Sequence, residues 1–117
     1  MKKFVVIFLI INSFFLLCCN NQKSIDNEII QKEMVTKDLT FYPEGVCCKQ
    51  MDISVVNDTI QSVIFTKGCS GNTQGVAKLV EGLPIDTVIS KLDGICCGDK
   101  TTSCPDQLSK ALKLIKK

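Results

Sequence analysis

Residues 51–65, with the sequence MDISVVNDTIQSVIF, contain the clearest structural pattern in the chain. In their first half apolar and polar residues alternate strictly, which predicts a strand with one buried face. Asn57-Asp58 then predicts a two-residue turn, and Val63 and Phe65 continue the apolar face on the next strand. The stretch is therefore predicted to form an antiparallel hairpin.

A further strand is predicted upstream of this hairpin. Leu39 and Phe41 alternate with polar residues, and the turn sequence Pro43-Glu44-Gly45 follows them. With the hairpin, this short strand makes an antiparallel meander of three strands that share one apolar face.

The chain downstream of residue 70 changes to a helical pattern. Asn72 is suited to be an N-cap, and Val76, Leu79 and Val80 predict a short helix that is closed by Gly82. This first helix is followed by two more with clearer patterns.

The second helix begins after Pro84, where apolar residues recur at i, i+3, i+4 and i+7 from Ile85, and it ends at Gly94. The third helix is predicted over residues 103–116, with Pro105 in its first turn and a capping pair of Ser103 and Asp106. Strands followed by helices predict an α+β domain: a three-stranded antiparallel meander and three helices packed on one sheet face.

Composition excludes several kinds of chemistry. The chain of 117 residues has no His and, since all 14 basic residues are Lys, no Arg. Imidazole catalysis, His-ligated zinc and bidentate phosphate clamps are therefore excluded. The net charge of +2 is too balanced to predict direct binding of nucleic acid. Eight Cys are many for this length, and they make sulfur the chemistry to follow.

Residues 1–19 resemble a bacterial lipoprotein signal peptide. Lys2-Lys3 precede an apolar run from Phe4 to Leu17, which is shorter than the roughly 20 residues that a spanning helix needs. Cys19 is then the predicted site of lipidation, and residues 20–35 form a polar tether. We expect a membrane-anchored lipoprotein on the extracytoplasmic face. If translation starts at Met34 instead, the protein is cytoplasmic.

Six Cys follow the signal, and none of them lies inside a predicted strand or in the interior of a predicted helix. They are Cys47, Cys48, Cys69, Cys96, Cys97 and Cys104. Thiols in loops at the ends of elements can converge on one metal ion, although no CxxC pair is present. Buried free thiols, or disulfides in an exported protein, are the alternatives. A metal or disulfides would also stabilise the small core of a domain over residues 36–117.

The sequence Thr-Ser-Cys-Pro-Asp at residues 102–106 is the motif that names the TSCPD domain family, and residues 36–117 resemble this family throughout. Gly-Val-Cys at 45–47, Gly-Cys-Ser-Gly-Asn at 68–72 and Gly-Ile-Cys-Cys-Gly at 94–98 match in order. The resemblance implies that Cys47, Cys69, Cys97 and Cys104 bind a metal, zinc above all, while Cys48 and Cys96 are additional.

The same resemblance implies a link to ribonucleotide reductases, with which related domains are associated. The chain is too short to be a catalytic subunit of such an enzyme, so an accessory module in deoxyribonucleotide synthesis is the expectation. Cys47, Cys69 and Cys104 also resemble the ligands of U-type iron–sulfur cluster scaffold proteins, which makes an iron–sulfur cluster the alternative to zinc. A binding domain outside the cytoplasm, held by disulfides, is the third possibility.

Overall fold

A computed structural model describes residues 33–117, and Met34–Lys117 form one compact unit within it. The predicted signal peptide, Cys19 and most of the predicted tether lie outside the described residues. Three strands come first, β1 (Thr36–Phe41), β2 (Gln50–Val56) and β3 (Thr59–Thr66). Three helices follow, α1 (Ser70–Val80), α2 (Ile85–Leu92) and α3 (Cys104–Lys116). The α+β class and the order of elements are as the sequence predicts.

The sheet is an antiparallel meander in the order β1-β2-β3. Its β2–β3 turn is formed by Asn57 and Asp58, both with positive φ (49° and 59°), as a tight two-residue hairpin requires. The register shifts between Ser54 and Val55, because Gln61 is an extra residue on β3. The sheet therefore carries one bulge beside its hairpin turn.

The helices pack on the face of the sheet to which the alternating apolar residues point. The core joins side chains of β2 and β3 to side chains of all three helices, and its members include Met51, Ile53, Val55, Ile60, Val63, Val80, Ile85, Val88, Leu108, Ala111 and Leu112. α1 lies against β3, and α3 packs against α2 and β1. None of the helices in residues 33–117 is long and apolar enough to cross a membrane.

The start of α1 differs from the prediction. Cys69, rather than Asn72, is the N-cap, and Asn72 lies in the first turn of the helix. The helix begins early because the Cys69 carbonyl already accepts from the Thr73 N–H at 2.9 Å. The predicted apolar face is also wrong at Leu79, which is 77% exposed, while Thr73 and Val80 are the buried residues of the helix.

The other two helices begin and end as predicted. α2 is followed by Gly94, whose positive φ of 78° suits the end of a helix. α3 has Ser103 as its N-cap, and the Ser103 hydroxyl accepts from the Asp106 N–H at 3.2 Å. These features place Cys104 at the first residue of α3.

Candidate metal centre

Cys104 is the most firmly held of the predicted site residues. It is 5% exposed and lies between the cap residue Ser103 and Pro105, which occupies the first turn of α3. The Ser103 hydroxyl also donates to the Ile95 carbonyl at 2.6 Å. The start of the helix is thus bound to the segment that carries Cys96 and Cys97.

Cys69 is delivered by a turn at the end of β3. Lys67 and Gly68 both have positive φ, 64° and 102°, and reverse the chain between β3 and α1. A side chain at Gly68 would lie within 3.1–3.4 Å of Thr73 and Cys48, so this position needs glycine both for its conformation and for space. The turn leaves the Cys69 thiol exposed at the N-terminus of α1.

The Cys47 thiol contacts two other thiols. The Cys47 sulfur lies 3.8 Å from the Cys69 sulfur and 3.7 Å from the Cys104 sulfur. Thiolates about 2.3 Å from a tetrahedral zinc lie about 3.8 Å from one another. Both measured separations therefore match the edge of a tetrahedral thiolate site, with Cys47 at the shared corner.

The side chains of these thiols do not surround a common position for a metal ion. Within residues 33–117, no group of three or more Cys, Asp or Glu side chains already encloses a position for a metal ion. The structure thus shows two sulfur pairs with the spacing of metal ligands, not a closed cage.

Cys97 lies on the wall of the same cleft as the three clustered thiols. The cleft has a volume of about 250 Å³, and five thiols line it: Cys47, Cys69, Cys96, Cys97 and Cys104. A turn positions Cys97, whose N–H donates to the Thr102 carbonyl at 3.3 Å and whose carbonyl accepts from the Lys100 N–H at 3.1 Å. All four predicted ligands therefore face one cavity.

The charges of these thiols act on one another. The pKa of Cys47 is lowered, first by the backbone N–H of Cys69 and then by the thiols of Cys104 and Cys69. The pKa of Cys69 is raised, first by its hydrogen bond with the Cys47 thiol and next by the negative charge of Cys47. Burial and the charges of Cys97 and Cys104 raise it further. Cys47 is therefore the member of the cluster where negative charge is stabilised.

Cys48 is separate from the cleft although it follows Cys47 directly. It is 1% exposed and belongs to the hydrophobic core. Burial, and next the Cys104 thiol beside it, raise its pKa to about 12. Cys48 is thus a neutral, apolar residue of the core.

A buried carboxylate joins the start of α3 to the segment that carries Cys97. Asp106, 3% exposed, accepts from the Gly94 N–H at 2.7 Å and from the Thr102 hydroxyl at 2.6 Å, and it pairs with Lys110 at 2.8 Å. The sequence predicts only its part in capping. Its bond to Gly94, 12 positions away, depends on the tertiary fold, and the sequence does not predict it.

Gln107 extends this network to the loop that carries Cys47. Its side chain is buried, donates to the Thr102 hydroxyl at 3.0 Å and accepts from the Glu44 N–H at 3.4 Å. No pattern in the sequence singles it out as a tertiary contact, beyond its place after the Thr-Ser-Cys-Pro-Asp motif. Asp106 and Gln107 together hold two thiol-bearing loops at the N-terminus of α3.

The structure thus defines a class of protein: a small α+β domain whose loops bring several thiols to one cleft beside two helix N-termini. The sequence model of the TSCPD domain family matches residues 26–116, and the chain belongs to this family. No curated protein and no solved structure matches the chain.

Proposed function

We propose that the domain binds one metal ion, zinc, through Cys47, Cys69, Cys97 and Cys104. The observation that carries the proposal is the position of the Cys47 sulfur, 3.8 Å and 3.7 Å from the sulfurs of Cys69 and Cys104. These are the separations of ligands on one tetrahedral ion. Cys97, on the wall of the same cleft, supplies the fourth thiolate.

The donor set fits zinc. The described residues that line the cleft include no carboxylate, and the chain has no imidazole, so thiols are the metal-binding side chains there. Thiolates suit zinc and iron–sulfur clusters. A single ion is favoured here over a cluster, because Cys47 contacts two other thiols at once, whereas a cluster spreads its ligands over several irons.

A bound zinc would act as a crosslink in this domain. Its four ligands come from the loop before β2, the turn after β3, the segment after α2 and the first residue of α3. Crosslinks of this kind contribute directly to the stability of small domains. The role we propose is therefore structural, sensory or accessory rather than catalytic.

The test is metal analysis of the full chain, purified in detergent under anaerobic, reducing and zinc-replete conditions. We expect about one zinc per chain, and its loss with a clear fall in melting temperature in Cys47→Ser and Cys104→Ser. Cys48→Ala is the matched control, because Cys48 adjoins Cys47 but lies in the core, and it retains the zinc. A zinc content near zero in the unmodified chain contradicts the proposal.

Two further proposals, a lipid anchor at Cys19 and association with a ribonucleotide reductase, place the domain in different compartments. An anchor at Cys19 places the domain outside the cytoplasm, where disulfides compete with metal for the same thiols. Association with a ribonucleotide reductase, which family membership suggests, requires the domain to be inside the cell. The two proposals are therefore mutually exclusive for one molecule, and a test of lipidation at Cys19 decides between them.

A further inference from the structure

Cys96 is one thiol more than a tetrahedral ion can use. It lines the cleft beside the four proposed ligands and is exposed, with its sulfur 3.6 Å from the Gly94 carbonyl oxygen. Cys48, the other additional thiol, is in the core and does not line the cleft. The cleft therefore offers five thiols, not six and not four.

The cleft also has more room than one ion fills. Its volume is about 250 Å³, whereas one water molecule takes about 30 Å³ in the liquid. Lys100 is the charged residue among those that line it, and the N-termini of α1 and α3 open onto it through Cys69 and Cys104. These positive groups offset the negative charge of several thiolates.

Soft, monovalent ions match five thiolates better than a second zinc does. Thiolates select copper in its monovalent state, and such copper takes two or three sulfur ligands. Two copper ions with three thiolates each, and one thiolate shared, use five thiolates in total. Two tetrahedral zinc ions need eight bonds and would have to share three of the five.

We propose that the cleft is a two-ion site for monovalent copper, in which Cys96 is a ligand that the single-zinc site does not use. The inference rests on the proposed thiol cluster and extends it to a second class of metal. No oxidation or reduction is involved. Each thiol that binds releases its proton to solvent, and copper remains monovalent.

The experiment is an anaerobic titration of the full chain with monovalent copper, in competition with a chromophoric chelator, with stoichiometry read by native mass spectrometry. We expect two copper ions per unmodified chain and two in the control Cys48→Ala. In Cys96→Ser the four remaining thiolates leave one copper with only two sulfur ligands, so we expect the chelator to remove this copper at a lower chelator concentration. Zinc loading, measured in parallel, stays at one ion in all three proteins because Cys96 is not a zinc ligand.

The outcomes separate this inference from the proposed function. One copper in the unmodified chain, or no change in Cys96→Ser, overturns the two-ion site while the single-zinc site stands. Loss of the second copper in Cys48→Ala overturns the assignment to Cys96. A chain that binds neither zinc nor copper overturns both proposals.

Discussion

At the scale of single residues, two adjacent thiols have opposite surroundings. Cys47 is exposed and contacts the thiols of Cys69 and Cys104, and its pKa is lowered. Cys48 is buried in the core, and its pKa is raised to about 12. Two residues that are adjacent in the chain thus differ in role: Cys47 is a candidate ligand and Cys48 is a core side chain.

Alkylation of the metal-free protein should distinguish these two thiols. Thiolate is the reactive form, so at neutral pH we expect Cys47 to react early with iodoacetamide and Cys48 to react last. Peptide mass spectrometry over a time course measures both rates, and a denatured sample in which the rates converge is the control. Equal rates in the folded protein would contradict the environments described for the two residues.

Cys69→Ser should have opposite effects on the metal-free and the metal-bound protein. Cys69 is the N-cap of α1 but makes no side-chain cap bond, and Ser is a better cap. We expect the free energy of unfolding of the metal-free protein to rise by about 0.5–1 kcal/mol. Zinc binding should be lost, because a ligand has been removed.

Cys104→Ser is the matched comparison for this variant. Cys104 is the first residue of α3, and Ser103 already caps that helix. We expect no such gain in the metal-free protein, but the same loss of zinc. Urea unfolding with and without a chelator measures the stability of the metal-free protein and the stability added by zinc. If Cys69→Ser retained its zinc, Cys69 would not be a ligand.

At the scale of elements, Asp106 binds α3 to the segment after α2. Lys110 above all, then the Thr102 hydroxyl, and to a smaller extent the Gly94 N–H, lower its pKa from 3.8 to about 2. A carboxyl group whose pKa is lower in the folded state stabilises the fold above its unfolded pKa, and this contribution is lost as pH falls through the folded value. The relevant window is therefore about pH 4 to pH 2.

Asp106→Asn should remove part of this acid sensitivity. The shift of the Asp106 pKa corresponds to about 2 kcal/mol of stability at neutral pH. We expect the variant to be less stable than the unmodified protein at pH 7 by about 1–3 kcal/mol, and the difference to shrink as pH falls toward 2. Thermal unfolding across this range measures it.

Asp86→Asn provides the control for that comparison. Asp86 forms an ion pair with Lys116, but its side chain is 71% exposed. Exposed pairs contribute less than about 1 kcal/mol, so we expect little change in stability at any pH. An Asp106→Asn variant that behaves like this control would contradict the linking role of Asp106.

The elements themselves are largely readable from the sequence, because they follow local patterns. Alternation and the Asn57-Asp58 turn predict the sheet, Pro84 and Gly94 lie at the two ends of α2, and Ser103 caps the start of α3. Ile60 is missed as a core residue, because the bulge at Gln61 shifts the alternation between Ile60 and Val63. Bulges depend on pairing with the neighbouring strand, which a single strand's sequence does not record.

The sequence predicts less of the candidate site than of the fold. The resemblance selects Cys47, Cys69, Cys97 and Cys104, and the structure brings all four to one cleft. The buried bonds of Asp106 and Gln107 join residues up to 63 positions apart. Local sequence patterns contain no information on contacts of that range, so the network that holds the loops could be found only in the folded structure.

At the scale of the whole molecule, a lipid anchor on the extracytoplasmic face would place the thiols in an oxidising compartment, whereas the cytoplasm would keep them reduced. In a bacterial host supplied with labelled fatty acid, we expect the full chain to be labelled and to sediment with membranes. Cys19→Ala should abolish the label, whereas Cys18→Ala, which places a small residue before the lipidated position, should keep it. Unlabelled, soluble protein that begins at Met34 would contradict the anchor and place the domain in the cytoplasm.

X-ray absorption spectroscopy of the zinc-loaded full chain shows whether four thiolates from separate loops bind one ion. We predict a single shell of four sulfur ligands at about 2.3 Å from zinc, and a shell with fewer sulfurs when Cys97 is replaced by Ser. A shell that contains nitrogen or oxygen ligands in the unmodified chain, or four sulfurs that persist in Cys97→Ser, would contradict the assignment of Cys47, Cys69, Cys97 and Cys104.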